Sequence, residues 1–463
     1  MALIKSISGF RGTIGAEAGN NLTPKDAVAF ATGYAEFIKQ QSKAKKPTVA
    51  LGRDGRLSGE MLQSIVQGTL CACGINVHLL DYTTTPTIEM YILDNENVDG
   101  GIILTASHNP KEWNALKLLN HKGEFVNAEE GSLILKLADE PSLLYTEIDG
   151  IGSVIEVKNT VETHCKSILA HDLVDAKSIA SKKYKVVVDC INSTAAMSLP
   201  VLLKQLGVED VVLINGEMTG EFAHNPEPLN HNIVDLCDRV KTEKAQLGIA
   251  VDPDVDRLSL VDENGNPIGE EYTLVSIADY MLQHKKGAAV SNLSSSRALS
   301  DVCKKHGVEY HAAAVGEVNV VTAMKANNAL IGGEGNGGII IPDLHYGRDA
   351  LIGIALILSY MARANKPLSQ IRAEQTHYEM IKDKISLQPN MDVDALLKNL
   401  EVTFSKSENV QLNTIDGLKL DFENGWVHCR KSNTEPIIRL YAEAATQAEA
   451  NTLVEKVKAE MAL

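Results

Sequence analysis

Apolar and polar positions follow a repeating order along the chain, in which an apolar run of strand length precedes a polar loop and a segment with helical spacing. The order restarts near residues 184 and 288, so three similar units are expected. Strands that alternate with helices form mostly parallel sheets covered by helices, and we therefore predict mixed α/β units. The predicted strands are 48–51, 77–81, 101–105, 184–189, 211–214, 247–252, 288–292, 308–312 and 330–333.

The predicted helices lie between these strands. Thr23, Pro24 and Asp26 supply an N-cap, a first-turn proline and an early acid, which predict a helix that reaches residue 43. Ser58 is the expected cap of the next helix. The apolar run Leu351–Ala362 is much shorter than the ~20 residues that span a bilayer, so it is predicted to be a buried helix. The other predicted helices are 87–93, 296–306 and 447–461, with one more that begins near residue 193.

After Pro367 the pattern changes to alternating strands and one closing helix, which is typical of an α+β domain. At about 100–200 residues per domain, the 463 residues of the chain allow three or four domains. We therefore predict α/β domains at 1–150, 151–254 and 255–370, followed by a smaller α+β domain at 371–463.

The chain is acidic, with 44 Lys and Arg against 60 Asp and Glu and a formal net charge of −16. This balance argues against nucleic acid or an anionic membrane as a partner and leaves room for a local basic pocket. The seven cysteines are scattered, which favours free thiols in a reducing compartment. Residues 1–10 lack the apolar stretch of a signal peptide, so we expect a soluble, cytoplasmic protein.

The segment Thr105–Pro110 follows a predicted apolar strand directly. Ligands in α/β sheets bind at the carboxyl ends of parallel strands, so Ser107 is a candidate reactive group. The neighbouring His108 can polarise its hydroxyl or contact an anion. The alternative is an ordinary turn in which a serine or threonine caps a helix. A hydrolase elbow is not supported, because no Gly-x-Ser-x-Gly pattern surrounds the serine.

Asp252, Asp254 and Asp256 alternate in the loop after another predicted strand. Three carboxylates on one loop can converge on a hard cation, because such cations prefer oxygen ligands. A calcium EF-hand is disfavoured, since Arg257 stands where its glycine belongs and strands flank the loop. Two competing interpretations stay open: a phosphatase with an aspartyl nucleophile, and a solvated acidic turn, in which the like charges would repel one another.

Two further polar loops are candidate substrate sites. Gly332–Gly338 has neither the P-loop nor the dinucleotide spacing, but its Glu334 and Asn336 suit sugar hydroxyls. Arg430–Pro436, with Arg439 beyond it, combines a guanidinium, hydroxyls, an amide and backbone N–H groups, which suit a phosphate. The alternative for this second loop is a polar hairpin.

Basic residues also occur away from these loops. Arg11 lies between glycines, and Arg53 and Arg56 form a pair. Lys117 lies in an apolar run, so its charge needs an acidic partner. No single segment is decisive. Their combination is decisive, because each loop lies in a different predicted domain. The four loops are the serine loop (Thr105–Pro110), the aspartate loop (Asp252–Arg257), the hydroxyl-binding loop (Gly332–Gly338) and the phosphate loop (Arg430–Pro436).

The motifs Thr-Ala-Ser-His-Asn-Pro, Asp-Pro-Asp-x-Asp-Arg and Arg-x-Ser-Asn-Thr-Glu-Pro together give a specific resemblance to the α-D-phosphohexomutase family. The resemblance covers essentially the whole chain, with the motifs in the family's order. It implies four domains around one cleft. It also implies an intramolecular phosphotransferase that interconverts hexose 6-phosphate and hexose 1-phosphate.

The resemblance further implies roles for individual residues. Ser107 would carry the phosphoryl group and, as phosphoserine, would bind Mg²⁺. A hexose 1,6-bisphosphate would be the intermediate and activator. The other implied metal ligands are Asp252, Asp254 and Asp256. The residues implied around the reacting phosphoryl group and the metal loop are Arg11, His108, Lys117 and Arg257. Those implied to bind the sugar and its phosphate are Glu334, Asn336, Arg430, Ser432, Asn433, Thr434 and Arg439.

The sequence departs from the commonest family pattern in the hydroxyl-binding loop. Asn336 stands where many members have serine, and Gly338 stands where they have histidine. This form looks most like the archaeal-type phosphoglucosamine mutases, whereas Phe222–Pro228 resembles phosphomannomutase/phosphoglucomutase members. Glu317 stands where a basic residue or an Asp-Arg pair is common, and we expect it to pair with a 2-ammonium group.

We therefore predict a phosphoglucosamine mutase, with phosphomannomutase/phosphoglucomutase as the alternative. Its partner would be a small sugar phosphate, and the protein would be a monomer or homodimer. More distant alternatives are a metal-dependent sugar-phosphate hydrolase that uses Asp252 as nucleophile and a non-catalytic sugar-phosphate-binding protein.

Overall fold

The computed structural model describes residues 3–6, 9–139, 145–386, 392–431 and 437–461. The chain forms two compact units. The first unit comprises Met1–Thr273 and Gly337–Ile371, and the second comprises Leu274–Asn336 and Arg372–Leu463.

The N-terminal region of the first unit is an α/β sheet domain. Its strands are β1 (Ile4–Ser6), β2 (Gly9–Thr13), β3 (Thr48–Arg53), β4 (Asn76–Tyr82), β5 (Gly100–Leu104), β6 (Trp113–Leu119) and β7 (Val154–Glu156). Its helices are α1 (Pro24–Gln41), α2 (Gly59–Ala72), α3 (Thr85–Leu93) and α4 (Ala128–Ala138), with a 3₁₀ turn at Ile148–Gly150.

These strands form one mixed sheet of order β1-β2-β6-β5-β3-β4-β7. The strands β5, β3, β4 and β7 are parallel, and β1, β2 and β6 add antiparallel pairs at one side. Arg53 at the end of β3 stands beside Leu104 of β5 and Tyr82 of β4. The loops that follow these three strands therefore begin side by side, at the edge where parallel sheets bind ligands.

Helix α1 forms where its sequence signals predict it. The Asp26 carboxylate accepts the backbone N–H of the N-cap residue Thr23 at 3.1 Å, and Pro24 opens the first turn. The buried face of the helix packs on the sheet, where the rings of Phe30 and Phe10 stack with centroids 3.7 Å apart. The predicted end at residue 43 lies two residues beyond the observed end at Gln41.

The prediction that Ser58 caps α2 is confirmed for its position, because Ser58 is the N-cap residue, but its side chain does not act as a cap. Ser58 does precede the helix, but its backbone is already helical and its side chain makes no capping hydrogen bond. The hydroxyl instead accepts a hydrogen bond from Asn114 Nδ2 at 2.9 Å, which ties the start of α2 to β6. The tertiary contact with Asn114 therefore replaces the local hydrogen bond that a capping serine usually accepts.

The next region repeats the α/β arrangement. Its elements are α5 (Thr160–Ala170), α6 (Ala176–Lys182), β8 (Lys185–Asp189), α7 (Ala195–Gln205), β9 (Asp210–Ile214), α8 (Val234–Glu243), β10 (Leu247–Val251), β11 (Leu258–Val261) and α9 (Glu270–His284). The sheet order is β11-β10-β8-β9, parallel except for the antiparallel pair of β10 with β11. The aspartate loop joins that pair.

The third region contains β12 (Ala289–Asn292), α10 (Ala298–His306), β13 (Tyr310–Ala313), α11 (Glu317–Ala326), β14 (Ile331–Glu334), β15 (Gly338–Ile340), α12 (Ala350–Ala364) and α13 (Leu368–Ala373). In the second unit, β12 pairs parallel with both β13 and β14. Helix α12 is buried along nearly its whole length, which confirms the prediction for Leu351–Ala362.

The C-terminal region is a smaller α+β domain. Its elements are β16 (Glu379–Ser386), α14 (Val393–Phe404), β17 (Val410–Asn413), β18 (Leu418–Phe422), β19 (Gly425–Lys431), β20 (Ile437–Ala444) and α15 (Gln447–Glu460). The strands form an antiparallel sheet of order β16-β20-β19-β18-β17, and α14 and α15 contribute to its core. Three α/β regions followed by this domain confirm the predicted fold class.

All seven cysteines are free, and only Cys71 is partly exposed. The expectation of buried free thiols is therefore confirmed for six of them. Within the part of the chain that the structure describes, none of the helices has the length and apolar character needed to cross a bilayer.

Candidate active site

Ser107 follows β5 in a left-handed backbone conformation, with φ of 49°. Its side chain is buried, and its hydroxyl donates a hydrogen bond of 2.5 Å to Asp252 Oδ2. The hydroxyl oxygen of Ser107 also lies 3.4 Å from His108 Nδ1. The two loops that the sequence singled out, the serine loop and the aspartate loop, therefore meet at Ser107.

The shape of the serine loop depends on Arg56, which sequence reasoning noted only as a basic residue. The buried guanidinium donates hydrogen bonds to four main-chain oxygens, and Asp54 accepts its Nε–H at 3.1 Å. Asp54 also accepts the Thr105 hydroxyl at 2.6 Å, and Thr105 in turn accepts the backbone N–H of Ser107. The four oxygens belong to Ser107, Asn109, Pro110 and Trp113.

The three aspartates are completely buried, and their carboxylate oxygens lie within 4.8 Å of one another. Asp252 Oδ1 accepts the backbone N–H groups of Asp256 and Arg257, which closes the loop on itself. Asp254 Oδ2 accepts the Thr85 hydroxyl at 2.6 Å. The hairpin between β10 and β11 thus brings three carboxylates to one point.

The donor set fits a hard divalent cation. Asp254 Oδ1 and Asp256 Oδ1 are buried and accept no hydrogen bond from any residue that the structure describes. A buried carboxylate oxygen without a donor is costly unless a cation occupies its lone pairs. Oxygen atoms are the ligands that Mg²⁺ prefers, so these residues can hold it.

The pKa values of Asp252 and Asp256 shift in opposite directions. Burial raises the pKa of Asp252 well above its usual value, and its neighbours Asp256 and Asp254 raise it further. Burial would also raise the pKa of Asp256, but Arg348, Lys117 and Arg257 outweigh it and hold that pKa below its usual value. The Asp256 carboxylate is therefore firmly ionised.

Two cations contact the aspartate loop directly. Lys117 Nζ lies 2.6 Å from Asp254 Oδ2 and 3.3 Å from Asp256 Oδ2, so the acidic partner expected for Lys117 is present. Arg348 donates to Asp256 Oδ2 at 2.8 Å. Burial lowers the pKa of Lys117, yet the attraction of Asp254 and Asp256 is larger and leaves that pKa raised, so the amine is charged.

Two more predicted residues, Arg257 and Arg11, lie nearby in the first unit. Arg257 donates to Glu227 Oε1 at 2.9 Å, and its Nε lies 3.9 Å from both Asp252 Oδ2 and Asp256 Oδ1. Arg11 donates to the Asn109 side chain at 2.7 Å, and burial together with the charge of Arg257 lowers its pKa to about 10.

His108 is neutral. Burial, followed by the charges of Arg257 and Arg11, lowers its pKa well below the usual value. Its imidazole can therefore accept or donate a hydrogen bond beside Ser107 without adding charge. The positive charge around the serine comes from arginine and lysine side chains instead.

The structure thus gathers all eight predicted residues of the first unit around Ser107: Arg11, Ser107, His108, Lys117, Asp252, Asp254, Asp256 and Arg257. Sequence reasoning assigned no role there to Asp54, Arg56, Thr85, Glu227 or Arg348. The only available signal was Asp54-x-Arg56 directly after β3, the neighbour of β5.

The second unit carries the predicted hydroxyl-binding residues. Glu334 ends β14 and is buried, and its Oε1 accepts hydrogen bonds from Asn292 Nδ2 at 2.9 Å and the Gly316 N–H at 3.1 Å. Asn336 Nδ2 lies 3.4 Å from Glu334 Oε2. The carboxylate is therefore held in one orientation by the loop after β12 and the loop before α11.

The predicted phosphate site is described only in part. Arg430 in β19 and Arg439 in β20 stand opposite one another in the sheet. Arg430 Nη1 lies 3.6 Å from Asp416 Oδ2, and its buried Nε has no hydrogen-bond acceptor among the described residues. Ser432, Asn433 and Thr434 lie outside the described residues.

Within the second unit, the loops that carry Glu334 and Arg430 are joined by a polar network. Asp416 Oδ2 accepts the Val315 N–H at 3.0 Å. Val315 directly precedes Gly316, whose N–H donates to Glu334. The buried His428 bridges the Ser294 hydroxyl and the Asp416 main-chain oxygen. The C-terminal domain therefore braces the loop that precedes α11, which in turn holds the Glu334 carboxylate.

Comparisons with known proteins agree with this arrangement. Residues 3–143, 162–265 and 269–378 match the alpha/beta/alpha domains I, II and III of phosphoglucomutase/phosphomannomutase, and residues 384–460 match its C-terminal domain. A phosphoglucomutase/phosphomannomutase of Thermococcus kodakarensis is 33% identical over 96% of both chains. A phosphoglucosamine/phosphogalactosamine mutase of Sulfurisphaera tokodaii is 32% identical over 99% of both.

A solved structure has the same fold. The X-ray structure of a phosphoglucomutase/phosphomannomutase family protein from Burkholderia thailandensis superposes with a TM-score of 0.83, at 23% identity, over 99% of this chain and 97% of that one. The chain belongs to the phosphoglucomutase/phosphomannomutase family, and it is a phosphohexomutase, an isomerase.

Proposed function

We propose that this enzyme interconverts glucosamine 6-phosphate and glucosamine 1-phosphate through a phosphorylated Ser107 and a hexose 1,6-bisphosphate. The observation that carries the proposal is the Ser107 hydroxyl, which is held 2.5 Å from Asp252 in a buried setting supplied with cations by Lys117 and Arg257. Phosphoryl transfer needs positioning and charge neutralisation above all, and this arrangement supplies both.

Asp252, Asp254 and Asp256 would hold Mg²⁺ together with the phosphoserine. When bound, the ion neutralises charge on the phosphoryl oxygens. The two carboxylate oxygens without hydrogen-bond donors support this assignment. Ser107 itself is held in place by the Arg56 network, so the nucleophilic oxygen does not have to be ordered during the reaction.

In the forward direction the phosphoryl group passes from Ser107 to the free hydroxyl of the hexose phosphate. The P–O bond to serine breaks and a P–O bond to the sugar oxygen forms. The proton that the sugar hydroxyl loses is balanced by the proton that the Ser107 oxygen gains, so that Ser107 returns to its hydroxyl form. The bisphosphate then returns its other phosphoryl group to Ser107, and the net result is an isomerisation. Arg11 and Lys117 would stabilise the charge that spreads over the transferring group, while His108 contributes a neutral hydrogen-bonding group.

The second unit would recognise the remainder of the substrate. Glu334 and Asn336 would bind sugar hydroxyls, and the buried Nε of Arg430 supports a role for Arg430 in binding the phosphate that is not reacting. We assign Ser432, Asn433, Thr434 and Arg439 to the same phosphate site. In this proposal the domains span 1–150, 151–254, 255–370 and 371–463.

Glucosamine phosphate is the proposed substrate because of Glu317. This partly exposed acid begins α11, directly after the Gly316 whose N–H binds Glu334. A carboxylate next to the hydroxyl-binding loop would attract the 2-ammonium group, which glucose and mannose phosphates lack. The mutase of Sulfurisphaera tokodaii also carries an amino-sugar name. The name of the Thermococcus kodakarensis relative favours phosphoglucomutase/phosphomannomutase activity as the second candidate.

The substrate is tested by measuring kcat/KM in parallel for glucosamine, glucose and mannose phosphates. We expect the highest value for the glucosamine substrate, and we expect Glu317→Gln to lower that value alone. Equal values for the three sugars in the wild-type enzyme would contradict the assignment. Glu309→Gln, which removes an exposed acid elsewhere in the second unit, is the control.

The mechanism is tested by mass spectrometry of the intact enzyme after it reacts with the bisphosphate. One phosphoryl adduct mapped to Ser107 supports the mutase mechanism. Release of inorganic phosphate without isomer formation, with the adduct absent from Ser107, would favour the hydrolase alternative, in which Asp252 is the nucleophile.

A further inference from the structure

A second cluster of ionisable side chains lies in the first unit, and the proposed mechanism does not use it. Glu89 comes from α3, His164 comes from α5, and His345 and Asp349 come from the segment that leads into α12. None of the four is more than 4% exposed. Buried ionisable groups require compensation, by one another or by an ion.

The Asp349 carboxylate is the centre of this cluster. Its Oδ2 lies 3.1 Å from His164 Nε2 and 3.3 Å from His345 Nε2. Ligand atoms around a tetrahedral zinc ion, with bonds of about 2.0–2.1 Å, stand about 3.3 Å apart. The distance from each imidazole to the carboxylate therefore matches an edge of a zinc coordination tetrahedron.

The second ring nitrogen of each histidine also meets an oxygen. His345 Nδ1 lies 3.3 Å from Glu89 Oε2, and His164 Nδ1 lies 3.1 Å from Thr87 Oγ1. In zinc sites the ligating histidine donates its other N–H to a carboxylate or another oxygen, which fixes the tautomer that leaves the first nitrogen for the metal. Here His164 has such a hydrogen-bonding partner in Thr87, and His345 Nδ1 lies within ion-pair distance of the Glu89 carboxylate.

Charge balance favours a divalent ion at this point. Glu89 and Asp349 are two carboxylates shielded from water, and neutral imidazoles supply no positive charge to balance them. A dication neutralises both carboxylates.

We propose that His164, His345 and Asp349 bind one zinc ion, with Glu89 and Thr87 orienting the two imidazoles. Two imidazole nitrogens and one carboxylate oxygen suit Zn²⁺, whereas Mg²⁺ takes oxygen ligands. A cavity of about 180 Å³ is lined by His164, one of the three proposed ligands, and by Thr87. This site is separate from the aspartate loop and takes a different metal.

The role of the zinc would be structural. Arg348, next to Asp349, donates to Asp256 Oδ2, and Thr85, at the start of the helix that carries Glu89, donates to Asp254 Oδ2. The zinc would therefore join the elements that hold the aspartate loop. A Cβ at Gly347 would lie 1.8 Å from Glu89 Oε2, so only glycine lets the His345–Asp349 segment close over the cluster.

The test is zinc retention by the full-length protein. The protein is stripped with a chelator, saturated with excess Mg²⁺ to fill the aspartate loop, exposed to Zn²⁺ and desalted. We expect the wild type to retain about one zinc per chain and to unfold at a higher temperature than the stripped protein. We expect His164→Gln and His345→Gln each to weaken zinc binding by at least about tenfold.

His224→Gln is the matched control, because His224 also pairs with a carboxylate, that of Asp189 at 2.8 Å, but outside this cluster. It should retain zinc as the wild type does. A wild type that retains no zinc, or histidine variants that retain as much as the wild type, would overturn the proposal. So would zinc that is lost from Asp254→Asn but kept by both histidine variants, since that result would assign the ion to the aspartate loop.

A second measurement keeps the test decisive if a histidine variant fails to fold. Co²⁺ replaces Zn²⁺ in the wild-type protein, again with excess Mg²⁺, and the visible absorption spectrum is recorded. Intense bands of a tetrahedral cobalt site with nitrogen ligands support the proposal, and the weak bands of an octahedral oxygen site contradict it. Both measurements read out binding alone, so their result is independent of the proposed mutase reaction.

Discussion

Arg56 donates a hydrogen bond of 2.5 Å to the main-chain oxygen of Ser107, and it does so from a completely buried position. Ser107 has a φ of 49°, a left-handed conformation that is unfavourable for a residue with a Cβ. The guanidinium offsets that cost, because it donates hydrogen bonds to four main-chain oxygens of the loop. Arg56 therefore positions the serine without touching the substrate.

We expect Arg56→Lys to lower kcat by about 100-fold, because an ammonium group cannot reproduce the planar fork and the serine would be displaced. The free energy of unfolding should fall by about 2 kcal/mol, since buried carbonyls lose their donors. Steady-state kinetics and urea unfolding measure the two effects. Arg53→Lys is the control, because Arg53 pairs with Asp81 and stacks on Tyr82 instead of entering the serine loop. Unchanged kcat in Arg56→Lys would contradict the positioning role.

Ser107→Ala should abolish most mutase turnover while substrate binding persists, because the variant loses only the oxygen that would carry the phosphoryl group. Turnover is followed in a coupled assay, and binding is followed by calorimetry. Ser132→Ala, which removes an exposed hydroxyl on α4, should behave as the wild type. Near-normal turnover in Ser107→Ala would exclude Ser107 as the phosphoryl carrier.

Chelation of divalent cations should stop turnover, and Mg²⁺ should restore it. Asp254→Asn is expected to raise the Mg²⁺ concentration for half-maximal activity by at least about tenfold, because a neutral amide replaces a charged ligand. Activity is titrated with Mg²⁺ in both proteins. The exposed Asp235→Asn provides the comparison. An unchanged magnesium titration for Asp254→Asn would argue against a metal at this loop.

Glu227→Gln should lower kcat/KM by about tenfold, which corresponds to about 1.4 kcal/mol, because Arg257 loses the charge-assisted hydrogen bond that holds it beside the aspartates. Steady-state kinetics measures the loss. Glu221→Gln removes an acid of the neighbouring segment whose partner is the exposed Lys111. The idea fails if the two variants lose the same activity.

Acid should destabilise the second unit through His428. Burial lowers the pKa of this residue to about 4, and the charge of Lys419 also lowers it. The unfolded chain binds the proton near pH 6.5 and the folded chain only near pH 4, so the stability that depends on neutral His428 is complete above pH 6.5 and is lost as the pH falls from 6.5 to 4. Between pH 7.5 and 5 the loss is about 2 kcal/mol.

The prediction for His428 is checked by urea unfolding of the wild type and His428→Gln at both pH values. The variant should lack this part of the pH dependence, since its amide can meet Ser294 and Asp416 without titrating. Equal slopes for the two proteins would show that His428 is not the group responsible. His121→Gln, an exposed histidine in the first unit, is the control.

Much of the fold could be predicted from local pattern. The strand Lys185–Asp189 and the helix Ala350–Ala364 lie close to their predicted bounds. The apolar pattern that predicts each of them lies within the segment and depends on no distant residue. Ser58 is the N-cap residue of α2 as predicted, but the partner of its hydroxyl could not be predicted, because Asn114 lies 56 positions away in the sequence. No local rule contains that contact.

The residues of the candidate site also fall into those that the sequence pattern identifies and those that only the tertiary structure identifies. Ser107 and the three aspartates could be found because each follows an apolar strand, and parallel strands place their following loops at one edge. Arg348 and Glu227 could not be found, since nothing in their own segments shows that they approach Asp256 and Arg257. The zinc site proposed above, built from helices α3 and α5 and the segment that leads into α12, had no signal in the spacing of its residues either.

The sequence by itself determined the order of strands and helices and the chemical identity of the reactive groups, because both depend on residue type at short spacing. Only the tertiary structure decided which groups share an environment. Ser107 reaches Asp252 across 145 positions, and Lys117 reaches Asp254 across 137. Burial at those meeting points then sets the pKa values and leaves carboxylate oxygens for a cation, and burial is a property of the packed chain rather than of any one segment.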